Sequence, residues 1–383
     1  MVQSAGTPPF KKRLVLKSIA MIGAVVRIFL RARGGIGSDS VRKILLLELW
    51  GVGDVVLSTP ALVSLRKIFP RASITVLAKP YAADILKYSP CVDEIIPFNF
   101  PWTRLHGKYD LRKWEFGRIF RLVSDLRRRS FDLALDVRGD ARSNLLMLLS
   151  GASSRVGYGA FKDDWMLTNE VERDHDARHR VDEWRSIIRH IDPNAECLTP
   201  TLWVSQDEAD AALLRSKAGL KGGRILVGIH PGASNRFKKW APDRFEKLAR
   251  YLASTYGAQI VFFADPDGYG GDLKADGAKT VSGWPLRDVV ALIRSLDVFI
   301  CNDGGPMHIA AALGVPTIAV FGPTLSSWFG PYGDAHRVVE KDVCRHKPCW
   351  DYCRFDSPEC LDAVAFEDVA LMADELLKGS KKR

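Results

Sequence analysis

The chain has 383 residues, room for about two or three domains at roughly 150 residues each. Its 47% hydrophobic content excludes a disordered chain, a collagen-like fibre and a multi-span membrane protein. The 55 Lys and Arg against 45 Asp and Glu leave a net charge of +10, which favours anionic partners, and seven cysteines in so long a chain speak for a reducing cytosol rather than a secreted disulfide scaffold.

Residues 1–40 stand apart as a basic tail and linker. Within them Phe10–Arg33 is basic at both ends, and its uncharged run Ser18–Val26 is too short for the ~20 residues of a membrane span. At about 100° per residue, Arg13, Lys17, Arg27 and Arg31 share one face and Leu14, Ile19, Ile22, Val26 and Phe29 cover the other. That pattern predicts an amphipathic helix lying on an anionic membrane surface through residues 10–33; packing on protein is the other outcome it allows. Gly34–Ser40 reads as a flexible linker.

From Lys43 short apolar runs alternate with helical patterns. Ile44–Leu49, Ser73–Ala78, Glu94–Phe98 and Leu133–Val137 read as strands, and Asp54–Phe69, Tyr81–Tyr88 and Phe116–Arg128 as helices. The polar stretch Ser205–Gly223, with a helix over Asp207–Lys217, reads as a hinge. The alternation then restarts, with strands over Arg224–His230, Gln259–Ala264, Val298–Cys301 and Thr317–Phe321. Helices are expected over Pro242–Tyr256, Leu286–Ser295 and Met307–Leu313. This predicts an α/β chain of two doubly wound parallel sheets facing a cleft, with domains at 41–205 and 206–362 and a closing helix and basic tail at 363–383.

Four strand-end motifs point into that cleft. Leu49-Trp50-Gly51-Val52-Gly53-Asp54 joins a strand to a helix through two glycines, but lacks the third glycine of a dinucleotide fingerprint. Asp54 stands at the helix start, where aspartate is also a good N-cap. His230-Pro231-Gly232-Ala233-Ser234 leads to Lys238-Lys239-Trp240, small residues that expose N–H groups followed by point charges suited to phosphate. Asn302-Asp303-Gly304-Gly305-Pro306-Met307-His308 opens a helix directly after a strand, an anion-binding arrangement in which Asp303 is another possible cap and His308 a possible core histidine. Phe321-Gly322-Pro323-Thr324 is the fourth. Ala264-Asp265-Pro266-Asp267-Gly268 offers an acid for ribose or sugar hydroxyls, or simply a turn.

In this order and spacing the motifs resemble glycosyltransferase family 9, the ADP-heptose:lipopolysaccharide heptosyltransferases, over about Lys43 to Leu377. The likeness extends to Asp136-Val137-Arg138-Gly139 with Arg142-Ser143, and to Arg155-Val156-Gly157-Tyr158. The resemblance implies a GT-B architecture of two Rossmann-like domains, with acceptor in the first half and nucleotide donor in the second. It also implies an inverting, metal-independent transfer, without cofactor, of a sugar such as heptose from ADP-heptose to a lipopolysaccharide core or related lipid-linked glycan. Asp54 matches the family's catalytic base and Lys238 the lysine that reaches the donor. Asp267 matches an acidic donor ligand that is glutamate in characterised relatives, and Asp303, Gly304 and Gly305 match the segment meeting sugar and diphosphate. Ser234, Met307, His308 and Thr324 complete the expected donor side, and Gly51, Gly53, Thr59, Arg138 and Arg142 the acceptor side.

Arg104, Lys108, Arg112, Lys113, Arg118, Arg121 and Arg127–Arg129 form a basic stretch suited to a phosphorylated lipid-linked glycan, or a solvated helix face. Cys344, Cys349, Cys353 and Cys360 have a spacing that could ligate a metal but lack C-x2-C knuckles, leaving free or pairing thiols as the alternative. A nucleotide-sugar-binding protein without transfer is disfavoured by Asp54 and Lys238, and a nucleic-acid binder by the lack of aromatics among the basic residues. A glycosyltransferase using another nucleotide sugar and a sugar epimerase stay open. The expected location is the cytoplasm, peripheral on the inner face of the cytoplasmic membrane.

Overall fold

The computed structural model describes residues 40–103, 110, 114–161, 164–174, 179–196, 198–216, 225–349 and 353–380. The expected tail helix at 10–33 and the basic residues Arg104, Lys108, Arg112 and Lys113 lie outside them. Two six-stranded sheets form the frame. The first holds β1 (Lys43–Glu48), β2 (Ser73–Ala78), β3 (Glu94–Pro97), β4 (Leu133–Asp136), β5 (Ser154–Tyr158) and β6 (Asn169–Val171). The second holds β7 (Leu226–His230), β8 (Gln259–Phe263), β9 (Lys279–Val281), β10 (Val298–Asn302), β11 (Thr317–Phe321) and β12 (Arg337–Glu340).

The strand orders are β3-β2-β1-β4-β5-β6 and β12-β11-β10-β7-β8-β9. Every adjacent pair is parallel. Counted from its own first strand, each sheet has the same order, that of a dinucleotide-binding fold, and the chain reverses direction between its first and fourth strands. β7, β10 and β11 are buried throughout, and β1 and β2 at every residue but the first, as strands covered by helices on both faces require. The expected doubly wound pair of lobes is therefore present.

The expected helix over Asp54–Phe69 is two helices, Val52–Leu57 and Thr59–Ile68. Pro60 has no N–H to give the Val56 carbonyl, so the ladder breaks and the Thr59 hydroxyl bonds that carbonyl instead (2.8 Å). Tyr81–Tyr88 shrinks to one turn, Ala82–Ile85. Between Arg138 and Ser205, where no elements are expected, the chain forms helices Ala141–Leu149 and Arg180–Ile191 as well as β5 and β6. The last helix, Phe366–Ser380, packs on Pro242–Tyr256, β11 and β12, so it belongs to the second lobe.

The lobes touch. Helix Val52–Leu57 packs on helix Gly305–Ala312, and one apolar cluster runs from Val55 and Val56 to Met307 and Ile309. Glycine makes this approach possible: a Cβ on Gly53 would stand 2.5 Å from His308 Cδ2, and one on Gly305 3.1 Å from Val52 Cβ. Polar contacts flank it. Arg287, in the helix Leu286–Ile293, bonds the Asp84 carbonyl of the first lobe (3.2 Å) and Glu208 (2.5 Å), while Tyr332 Oη meets Arg185 (2.6 Å).

Candidate functional site

The loops leaving β1 and β4 build the first half of the site. Asp54 is the third residue of its short helix rather than the N-cap, and its Oδ2 reaches back to accept the Gly51 N–H (2.9 Å). Its Oδ1 accepts from Arg138 Nη2 (3.2 Å), and the Arg138 guanidinium lies 4.6 Å from the Trp50 ring centroid. Asp136, the last residue of β4, fixes the Arg138 loop by accepting the N–H groups of Arg138 (3.0 Å) and Gly139 (3.2 Å). Arg142 is paired with Asp140 (2.6 Å) and lies 5.9 Å from the same Trp50 ring. Burial alone would raise the Asp54 carboxyl, yet the guanidinium groups of Arg138 and Arg180 and the Gly51 N–H hold it below the usual carboxylate range. Glu48, at the end of β1, is pushed the other way: burial and the Asp54 charge raise it well above that range, and its Oε2 is buried without a partner.

The loops leaving β7 and β10 build the second half. Asn302, the last residue of β10, accepts the Trp240 N–H (3.1 Å) and donates to the Pro231 carbonyl (2.7 Å), clipping the loop 231–240 against its strand. Lys238 ends a single 3-10 turn started by Asn235, and its Nζ meets Asp303 Oδ2 at 2.7 Å. Thr324 Oγ1 donates to the same oxygen (2.5 Å). Gly304 caps helix Gly305–Ala312, where Pro306 contributes no donor, so the expected N–H cradle is reduced to Gly304, Gly305 and Met307.

His308 lies where the halves meet, against Gly53 and within the fields of both Asp303 and Asp54. Burial nevertheless pushes its pKa down to about 4, and its Nδ1 is buried without a partner. Asp54, Arg138, Lys238, Asp303, Thr324, His308 and the glycines 51, 53, 304 and 305 therefore converge on one region between the lobes. Perturbed, incompletely satisfied groups of this kind gather where a ligand supplies the missing partners.

Other expected residues stand apart from this convergence. Thr59 is fully buried, with its hydroxyl donating to the Val56 carbonyl (2.8 Å) and accepting the Thr201 N–H (3.0 Å), so in this structure it acts as a clip between backbone segments. Asp267 is exposed and accepts the N–H of Tyr269 in its own turn (3.0 Å). Asp265 is the acid that turns inward, to His230 Nε2 (3.1 Å) and Lys239 Nζ (3.5 Å). Ser234 is an exposed bend in the same loop. Cys344, Cys349, Cys353 and Cys360 are free thiols, and among the described residues no group of three His, Cys, Asp or Glu side chains is placed to hold a metal ion.

Glu48, Trp50 and Arg180 belong to the site although the sequence motifs do not single them out. An acid closing the apolar run of β1 is the available signal for Glu48, and the position just before G-x-G for Trp50. Arg180 carries no local signal, because it arrives from a helix far along the chain.

Comparison with known proteins shows what the chain is similar to. A family model described as glycosyltransferase family 9 (heptosyltransferase) matches residues 119–356. Lipopolysaccharide heptosyltransferase 2 of Salmonella typhimurium is 27% identical over 323 residues, covering 80% of this chain and 90% of the relative. Among solved structures, ADP-heptose lps heptosyltransferase II of E. coli superposes with a TM-score of 0.71 at 23% identity, covering 88% of this chain and 99% of that one. A family 9 glycosyl transferase from Veillonella parvula superposes with a TM-score of 0.73 at 22% identity, covering 91% and 99%.

Proposed function

Because this chain belongs to glycosyltransferase family 9, and so is a glycosyltransferase, we propose that it moves heptose from ADP-heptose onto a lipopolysaccharide core, with inversion and without a metal. The observation that carries the reading is that helices Val52–Leu57 and Gly305–Ala312 pack together, with Asp54 on the first and the Asp303–Lys238 pair at the start of the second, all three charges acting on the buried His308.

In this mechanism Asp54 takes the proton of the acceptor hydroxyl as that oxygen attacks the anomeric carbon from the face opposite the diphosphate. General-base help of this kind is worth about 10²–10⁴-fold. Negative charge grows on the departing diphosphate, where Lys238 Nζ and the N–H groups of Gly304, Gly305 and Met307 receive it. Asp303 and Thr324 hold Lys238 in place until then. Arg138 does the corresponding work on the acceptor side. In the unliganded protein it neutralises Asp54, and a phosphorylated acceptor draws it away, restoring basicity to Asp54 when there is a hydroxyl to activate. The helix contact between the lobes opens to admit the donor and closes to exclude water.

The basic, apolar segment 10–33 holds the enzyme against the anionic inner face of the cytoplasmic membrane, where a lipid-linked acceptor resides. Among the described residues no helix is long and apolar enough to cross a membrane.

The test is to incubate the purified chain with ADP-heptose and a lipopolysaccharide core lacking heptose. The expected outcome is release of ADP and a product heavier by one heptose. Transfer from a different nucleotide sugar only would overturn the donor assignment, and no transfer from any nucleotide sugar would overturn the enzyme reading.

A further inference from the structure

Two touching helices of the first lobe expose apolar side chains that the chemistry above does not use. On helix Phe116–Arg129, Leu122 and Leu126 face the core, while Phe120 is 74% and Phe116 57% exposed. On helix Ala141–Leu149, Leu145 and Leu149 are 42% and 37% exposed. Isolated exposed apolar residues are ordinary, but four on adjoining helices are a patch. At about 100° per residue, Phe116, Phe120 and Arg127 fall within roughly 40° of one another on the outward side. Arg127 lies along Gly151, whose Cβ would stand 3.3 Å from Arg127 Cγ, so the two helices run together at their C-terminal ends. Arg121 and Arg127 have no carboxylate partner among the described residues.

The patch is connected to the core and to the site. Aromatic rings step outward from the buried Phe100 through Trp102 (4.5 Å between centroids) and Trp114 (5.5 Å) to Phe116 (5.7 Å). On the neighbouring helix Leu149, Leu145 and Arg142 share one side, and Arg142 leads to Trp50 and so to Arg138 and Asp54. An apolar stripe thus runs from the exposed phenylalanines to the acceptor side of the site.

We propose that the face carrying Phe116, Phe120, Leu145, Leu149, Arg121 and Arg127 docks on an anionic phospholipid bilayer. The apolar side chains enter the boundary between headgroups and acyl chains while the arginines meet lipid phosphates, and the sugar end of a lipid-linked acceptor reaches Arg142 and Asp54 along the stripe. The last step rests on the acceptor assignment above; the docking does not. A second copy of the chain fits this face poorly, because a two-fold contact would set arginines against arginines.

The test uses the full-length chain and vesicles of phosphatidylcholine with and without phosphatidylglycerol. The paired substitution Phe116→Ser with Phe120→Ser is expected to weaken binding to the anionic vesicles by about tenfold or more. Arg121→Glu with Arg127→Glu, which changes only exposed charges, is expected to weaken it further and to flatten its salt dependence. Thermal unfolding stays as in the parent chain for both pairs, and for the phenylalanine pair transfer to a deacylated, water-soluble acceptor also stays as in the parent, whereas transfer to acceptor embedded in vesicles falls. Unchanged vesicle binding in both paired variants overturns the proposal, as does a dimer in sedimentation that the variants abolish while vesicle binding persists. If the parent chain transfers heptose to neither acceptor but the variants still lose vesicle binding, the docking face stands and the acceptor assignment fails.

Discussion

The two reversal points share one topology and carry opposite charges at equivalent places. After the first strand of its sheet the first lobe presents a carboxylate, Asp54, and the second lobe an ammonium, Lys238. After the fourth strand the first lobe presents a guanidinium, Arg138, and the second a carboxylate, Asp303. Each lobe closes its pair by an ion pair, 3.2 Å for Asp54–Arg138 and 2.7 Å for Lys238–Asp303. Each also pins a loop with the last residue of its fourth strand, Asp136 or Asn302. The fold therefore supplies positions, and the sign of the charge placed at each one decides its chemistry. One side holds a base with a removable cation, the other a cation held by an acid.

Asp54→Asn breaks the comparison most strongly. It keeps the shape and the acceptor contacts of one oxygen but removes the base, so kcat is expected to fall by about 10²–10⁴-fold. ADP binding, measured by calorimetry, should be unchanged, because the donor groups sit in the other lobe. Weakened ADP binding in Asp54→Asn would mean that Asp54 serves the donor. The mirror experiment is Lys238→Ala, expected to lower kcat by roughly 10²-fold, as loss of one transition-state donor does, and to raise the donor KM. Arg138→Gln should instead raise the acceptor KM. It also sharpens the electrostatic half of the comparison: with one of its two guanidiniums gone, Asp54 titrates at higher pH, and the acid limb of the kcat/KM profile moves upward. An acid limb that stays in place would show that Arg138 does not hold Asp54 down.

Gly53→Ala tests whether the two halves need their close contact. The added Cβ would stand 2.5 Å from a ring carbon of the buried His308, which has no room to retreat. A loss of about 1–3 kcal/mol in stability is expected, as for other overpacked sites. Adding His308→Ala should recover most of it, a coupling that urea unfolding of the two single variants and the double variant measures. Additive losses would place the strain elsewhere.

How far the sequence disclosed these regions follows from where their information lies. Both central strand pairs, and the glycine-rich turns that end them, were legible because an uninterrupted apolar run followed by Gly, Pro and Asp is a local signal. β5 was hidden by Arg155, a charge inside a buried strand. The structure tolerates it because Arg155 donates to the carbonyls of Met166 and Ala152, both at 2.7 Å. β9 and β12 are short edge strands with half-exposed residues, so no apolar run marks them. In the turn Asp265-Pro266-Asp267 either acid fits the pattern. Only the position of His230 on the neighbouring strand decides that Asp265 turns inward. The role of Thr59 was obscured for a similar reason, since the carbonyl that Pro60 leaves open is visible only once the helix is known to break there.

The smallest expected effect concerns two buried groups, one on the first lobe and one where the second meets it, that titrate against each other. Burial pushes Asp136 up to about 6 despite the two N–H groups it accepts, and pushes His308 down to about 4. For Asp136 the folded state holds a proton that the unfolded chain has lost, so its contribution is present at low pH and disappears as pH rises toward 6. For His308 the unfolded chain holds the extra proton, so its contribution is present above the ordinary histidine range and disappears as pH falls toward 4. Between about pH 4 and 6 the two slopes have opposite sign and cancel to within a fraction of a proton. Removing either should unmask the other, changing the slope of unfolding free energy by up to about 1.4 kcal/mol per pH unit. Asp136→Asn should therefore make the protein gain stability with rising pH across this window relative to the parent, and His308→Gln should make it lose stability. Urea unfolding at several pH values separates the two, and identical slopes in parent and variants would mean that neither group is as strongly perturbed by its burial as its surroundings require.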